Sequence, residues 1–171
     1  MSEIKKAKLQ DAKLLAKIGK EAFLVAHGKS ASKEDIDNYV SKNFTEDAFT
    51  KELAYPKNEY YLIYHKDKVA GYSKIIFNFP NENMTAQNVT KMERLYLLEE
   101  FYGLGLGKEL FDFNIKKSKQ HNQKGIWLAV WTENQRAINF YHKMGFKILG
   151  SYDFKISESH YNPNHILYLN Y

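Results

Sequence analysis

The stretch Phe101-Tyr102-Gly103-Leu104-Gly105-Leu106-Gly107-Lys108-Glu109-Leu110 decides how the rest of the chain is read. Three glycines alternate between a run with strand character and one with helical spacing. Glycine adopts positive φ without a Cβ penalty and lets the backbone approach a ligand closely. The helix that follows offers unpaired N–H groups and the positive end of its dipole. Together these features suit a pyrophosphate. A plain strand-to-helix turn can have the same composition, so the stretch needs support from its neighbours.

That support lies on both sides. Residues 92–98 and 126–131 have strand character and flank the helix that follows the glycines. A strand–helix–strand unit implies parallel or splayed neighbouring strands. Next comes Thr132-Glu133-Asn134-Gln135, which has capping-box form, with Asn134 as an alternative N-cap. Ala137, Phe140, Tyr141 and Met144 then share one helical face. Gly145 ends that helix, and Phe146 supplies the apolar contact of a Schellman ending.

Further upstream, Leu14, Ile18, Ala22 and Val25 follow helical spacing after Asp11, read as an N-cap. A second helix starts at Ser32, with Ile36, Tyr39 and Val40 facing inward, and a third near Thr45 carries Phe49 and Leu53. Residues 59–65 and 69–77 form a hairpin about Lys66-Asp67-Lys68. Residues 146–152 and 164–169 are two closing strands. The order ααα-ββ-β-α-β-α-β-β indicates a mixed α/β fold rather than a doubly wound sheet.

Composition sets the outer limits. A chain of 171 residues with 44% apolar content suits one domain, residues 1–171, with a real core. No run approaches the roughly 18 apolar residues that span a bilayer, so no membrane partner is expected. The start, Met1-Ser2-Glu3-Ile4-Lys5-Lys6, lacks the apolar core of a secretory signal. Without cysteine there is no disulfide, thiolate metal site or cysteine nucleophile, and a cytoplasmic location is expected. The formal charge of +5 is spread along the chain and suits a nucleotide-bearing cofactor. No nucleic-acid module is present to favour nucleic acid as a partner.

The run Glu93-Arg94-Leu95-Tyr96-Leu97, the glycine stretch, and the run Asn134-Gln135-Arg136-Ala137-Ile138-Asn139-Phe140-Tyr141-His142-Lys143-Met144-Gly145-Phe146 occur in one order and spacing. In this the chain resembles the GCN5-related N-acetyltransferase (GNAT) superfamily. The resemblance implies an α/β (α+β mixed) fold with a twisted mixed sheet of about six to seven strands. It further implies splay between the strands at 92–98 and 126–131, with helices on both faces. One departure stands out: the family usually has arginine or glutamine three residues before the middle glycine, where this chain has Tyr102. The segment through Tyr39, Phe44 and Leu53, with the ending Gly150-Ser151-Tyr152-Asp153-Phe154, is similar to the bacterial spermidine/spermine branch associated with the pai operon.

The resemblance implies acetyl-CoA as donor, no metal, and a small polyamine such as spermidine or spermine as acceptor. Cofactor contacts would come from Leu95, Tyr96 and Leu97, from Tyr102, Gly103, Leu104, Gly105, Leu106, Gly107 and Lys108, and from Asn134, Asn139 and Tyr141. Tyr141 would protonate the leaving thiolate, although its periodicity alone makes it a core aromatic. Glu93 would assist deprotonation of the amine, for which help is needed. An alkylamine of pKa about 10.4 is only about one part in 2,500 neutral at pH 7, a deficit of about 4.6 kcal/mol. An N-terminal amine of a protein, or a non-catalytic acyl-CoA-binding role, remain as alternatives. The sequence does not decide oligomeric state; a homodimer is one option.

Overall fold

A computed structural model describes all residues, 1–171. Its seven strands form one sheet in the order β1-β2-β3-β4-β5-β7-β6. They are β1 Ser2–Lys6, β2 Asn58–His65, β3 Lys68–Ile76, β4 Thr90–Leu97, β5 Gly125–Trp131, β6 Lys147–Lys155 and β7 Tyr161–Asn170. Every neighbouring pair is antiparallel except β4 and β5. The helices are α1 Ala12–His27, α2 Lys33–Asn43, α3 Glu46–Ala54, α4 Leu106–Gln120 and α5 Gln135–Lys143. This is the mixed fold expected from the sequence, with one strand more at the start.

β1 escapes periodicity because Ile4 is the only apolar residue among its five. It is placed by pairing instead, with Ile4 opposite Ile63 on β2. Charged side chains along such an edge also discourage pairing with other chains. The hairpin after β2 turns through Lys66 and Asp67, both at positive φ, which matches the strand twist as a two-residue loop. At the other end, β6 and β7 run longer than the sequence suggests, since Pro163 falls inside β7, opposite Asp153.

α1 to α3 cover one face of the sheet. The buried stripe of α1 is Leu15, Ile18, Ala22 and Phe23. Leu14 is only half-buried and Val25 is exposed, so the stripe expected from the sequence is set too far round the helix. Asp11 precedes α1 but does not cap it; its carboxylate accepts the Lys8 N–H at 2.7 Å. Ser32 and Thr45 do cap α2 and α3, accepting from Asp35 N at 3.1 Å and Ala48 N at 3.1 Å.

α4 lies on the other face, tied to β3 and β4 through buried polar pairs. Ser73 Oγ donates to Asn114 Oδ1 at 3.0 Å, and the Thr90 and Ser118 hydroxyls meet at 2.7 Å. Phe111 of α4 meets Phe140 of α5 edge-on at 5.9 Å. Asn134 resolves the start of α5: its side chain accepts from Ala137 N at 3.2 Å. The helix ends at Gly145, φ +94°, where the amides of Gly145 and Phe146 return to the carbonyls of His142 and Tyr141. That is a Schellman ending, closed by the Tyr141–Phe146 ring contact at 5.3 Å.

Candidate active site

β4 and β5 pair only at Thr90 with Ile126 and Lys91 with Trp127. Beyond that seam they diverge, and from Met92 to Leu97 the β5-facing side of β4 has no strand partner. A β-bulge bends β4 at this point: Lys74 faces Arg94 and Ile75 faces Met92, leaving Glu93 as the extra residue. Between the strands lies a cavity of about 380 Å³. Leu95 and Tyr96 line one side, residues 128–131 the other, and Phe23, His27, Tyr39 and Phe44 the helical roof. The rims are formed by Asn134, Ala137 and Tyr141 of α5, and by Tyr152, Phe154 and Asn162 of the last hairpin.

The glycine turn follows β4 after a short 3-10 turn at Glu99–Phe101. Gly103 and Gly105 take φ of +77° and +78°, and no atom lies within 4 Å of where their Cβ atoms would stand. Gly107 differs from the expectation: it is an ordinary residue of α4, packed against Leu97. None of the N–H groups of residues 103–108 donates to any acceptor in the protein, although Gly105 O accepts from Glu109 N. Six free donors over two left-handed glycines and a helix N-terminus make this turn a candidate anion nest.

Lys108 does not bring a free charge to this nest, because Asp112 holds its ammonium at 2.5 Å. A different cation stands there. The guanidinium of Arg136 stacks on the Tyr102 ring at 3.4 Å. Tyr102 thus sits in the turn as expected, serving as a platform for an arginine from the start of α5. The sequence contained both residues, but their 34-residue separation hid the contact.

Tyr141 is buried and lines the cavity, as the sequence leads one to expect. Its hydroxyl makes no hydrogen bond within the protein, so it is free to donate into the cavity. Burial, with Tyr96 nearby, raises its pKa and keeps the phenol protonated at neutral pH. His27 is also in the wall, flanked by Phe23 and Trp131 at 5.0 and 5.8 Å. Burial lowers its pKa to about 4, so the imidazole is neutral.

Glu93 reaches the cavity in a different state from that of a free base. It pairs with Lys74, and with Lys91 at 3.2 Å. Burial pushes its carboxyl upward, but Lys74, Lys91 and Arg94 outweigh that and hold it below the ordinary carboxylate range. Lys74 is buried and also pairs with Glu52 of α3 at 2.6 Å. Glu52 further accepts from the Tyr60 hydroxyl at 2.7 Å. Neither Glu52 nor Lys74 was singled out from the sequence, since α3, β3 and β4 meet only in the fold.

Other candidates fall outside the cavity. Asn139 is exposed, about 200° around α5 from both Ala137 and Tyr141 by the 100° helical step, and accepts from Gln135 at 2.7 Å. Beside the cavity, the half-buried His160 ring meets Ser30 O at 2.8 Å and Asn162 Oδ1 at 2.9 Å. Asn162 in turn donates to Ser30 Oγ at 2.7 Å, so the last hairpin clasps the loop between α1 and α2 beside the cavity.

A parallel strand pair that opens around a buried tyrosine, followed by a run of free amides, is the arrangement that the resemblance in the sequence implies. The chain belongs to the acetyltransferase (GNAT) family, whose model matches residues 29–146. It is 32% identical over 141 residues to an uncharacterized N-acetyltransferase of Lactobacillus delbrueckii subsp. lactis, covering 82% of each chain. It is 27% identical over 144 residues to an N-alpha-acetyltransferase of Sulfurisphaera tokodaii, covering 77% of this chain and 84% of that one. In fold it is similar to the PaiA N-acetyltransferase of Thermoplasma acidophilum, solved in complex with coenzyme A. The TM-score is 0.79 at 19% identity, over 100% of this chain and 99% of that one.

Proposed function

We propose that this protein transfers acetyl from acetyl-CoA to the primary amine of a small molecule held in the cavity, by direct attack in a ternary complex. The observation that carries this is the run of free N–H groups at residues 103–108, directly after the strand whose far edge is unpaired. Those amides, with no side chain over Gly103 or Gly105, fit a pyrophosphate. The open edge of β4 at Leu95, Tyr96 and Leu97 fits a pantetheine arm, which carries amides as a peptide does.

When bound, acetyl-CoA supplies an acetyl group activated as a thioester. An N–H of the β4 edge polarises the carbonyl of that group. As the amine N–C bond forms and the C–S bond breaks, Tyr141 would give its proton to the departing sulfur, and the proton that the nitrogen sheds after attack restores the phenol through water. The amine's own proton does not end on Glu93. Transfer from an alkylammonium to a carboxylate in or below its ordinary range is uphill by at least about 8 kcal/mol. Glu93 therefore orients the amine or a water through charge, and the proton leaves through water to solvent.

A spermidine or spermine acceptor draws support from the likeness of fold to the PaiA enzyme. A protein N-terminal amine draws it from the similarity to the Sulfurisphaera enzyme. Two measurements test the proposal. Saturating acetyl-CoA at about 100 times its Kd is expected to add about 2.7 kcal/mol, roughly 5–10 °C in Tm; no shift would defeat the donor assignment. Thiol release across spermidine, spermine, amino acids and short peptides then separates an enzyme from a binding module.

A further inference from the structure

Five charged side chains line the cavity: Lys74, Lys91 and Arg94 against Glu52 and Glu93. With His27 neutral, three cations face two anions, leaving one positive charge over. The pairing shows which one. Lys74 bridges both carboxylates and Lys91 takes Glu93, while Arg94 has no carboxylate within 4 Å. Its single hydrogen bond runs from Nη1 to the Tyr60 hydroxyl at 3.3 Å. Phe44 and Phe49 pack around it at 5.6 and 5.4 Å from ring centroid to Cζ.

A guanidinium cannot shed its proton to escape such a place. It carries five donors in a planar fork and uses one, so most of its hydrogen-bonding capacity is open to the cavity it lines. Glu52 and Glu93 act on this guanidinium only through space and through the Tyr60 hydroxyl, so a cation in a largely aromatic enclosure still lacks a directly bonded carboxylate, and an anion that enters with the ligand supplies one. The planar partner that fits a guanidinium fork is a carboxylate.

Position adds to charge. Tyr60, Lys74 and Arg94 form one cross-strand row, and Leu62, Tyr72 and Tyr96 form the next. Tyr96 lies close enough to raise the pKa of Tyr141. Arg94 therefore stands one pleat repeat, about 6.8 Å along the strand, from Tyr96, which lines the same cavity as Tyr141. A small molecule with an amine at one end and a carboxylate a few bonds away spans that distance.

We infer that the acceptor is a small amine that also carries a carboxylate, an amino acid or ω-amino acid, and that Arg94 binds that carboxylate. This rests on the acetyl-transfer reading and names its substrate class. It also separates this chain's acceptor from a polyamine, which brings only positive charge to a wall with positive charge already in excess.

The test is thiol release from acetyl-CoA by the intact protein with matched pairs. Each amino acid or ω-amino acid is set against its carboxamide and its decarboxylated amine, with spermidine and phosphoethanolamine alongside. The expected result is a kcat/KM at least about tenfold higher for the carboxylate member, the usual scale for a charge-assisted bidentate contact. Arg94→Gln is expected to erase that preference while leaving KM for acetyl-CoA unchanged. Arg94→Lys, with charge but no fork, is expected to keep part of it. Equal or faster turnover of decarboxylated amines or spermidine overturns the carboxylate assignment and leaves acetyl transfer standing. Faster turnover of phosphoethanolamine than of any carboxylate also overturns it, in favour of a phosphate. No thiol release from any amine removes the transferase reading and this inference together.

Discussion

Replacing Tyr141 by phenylalanine removes one oxygen and leaves the ring contacts with Phe140 and Phe146 in place. The fold is therefore expected to survive, with Tm within a degree or two, while kcat falls about 100-fold or more. KM for acetyl-CoA should stay within about twofold; turnover at the parental rate would dismiss the proton-donor role. Because burial raises the Tyr141 pKa, no loss of kcat from its ionisation is expected up to pH 10. Arg136 makes a second residue-scale case. Stacked on Tyr102 in the glycine turn, it is placed to bring charge to a bound phosphate, and substitution tests that role. Arg136→Ala is expected to raise KM for acetyl-CoA about fivefold, an effect of about 1 kcal/mol, with kcat unchanged. The same measurement at 50 and 300 mM salt should show a weaker salt dependence in the variant than in the parent.

At the scale of elements, the glycine turn separates binding from stability unusually well. Gly105→Ala forces a side chain onto a residue at φ +78°, at a strain of about 1 kcal/mol. No protein atom lies near the new methyl, so Tm should drop by only about 2–4 °C. The methyl does enter the nest, and KM for acetyl-CoA is expected to rise at least about tenfold; an unchanged KM would place the phosphates elsewhere. This turn was legible in the sequence because glycine spacing is a local signal, and α5 was legible because its stripe and both its caps are local as well. What periodicity could not reach was built from distant parts. Lys74, Glu52 and Glu93 come from three elements and meet only after the sheet forms. Arg94 was visible as a letter in a motif, yet its lack of a partner is a property of everything around it. β1 was missed for the opposite reason: it is held by pairing to β2, and its own residues carry almost no apolar pattern.

For the whole molecule, burial of the cavity wall has a consequence for acid stability. His27 is neutral in the fold, with its pKa lowered to about 4, and titrates near 6.5 once the chain unfolds. The unfolded chain therefore binds the extra proton first. The associated stability is complete above pH 6.5 and drains away as pH falls from 6.5 toward 4, by up to about 1.4 kcal/mol per unit. Glu93, lowered rather than raised in net, adds a loss in the same direction at lower pH. His27→Phe is expected to flatten the curve between pH 6.5 and 4, read as the difference in urea midpoint at pH 7 and pH 5. An unchanged pH dependence would remove His27 as its source. The seam between β4 and β5 carries another consequence. Only two residue pairs join the strand groups there, with the Thr90–Ser118 contact pinning β4 to α4. By lever geometry alone, a rotation about this seam would move points about five residues along the strands apart by about 0.3 Å per degree. A repacking at Thr90 or Ser118 that turned the strands would be magnified by the same lever, which would give two buried hydroxyls a hold on the width of the cavity without touching what binds there.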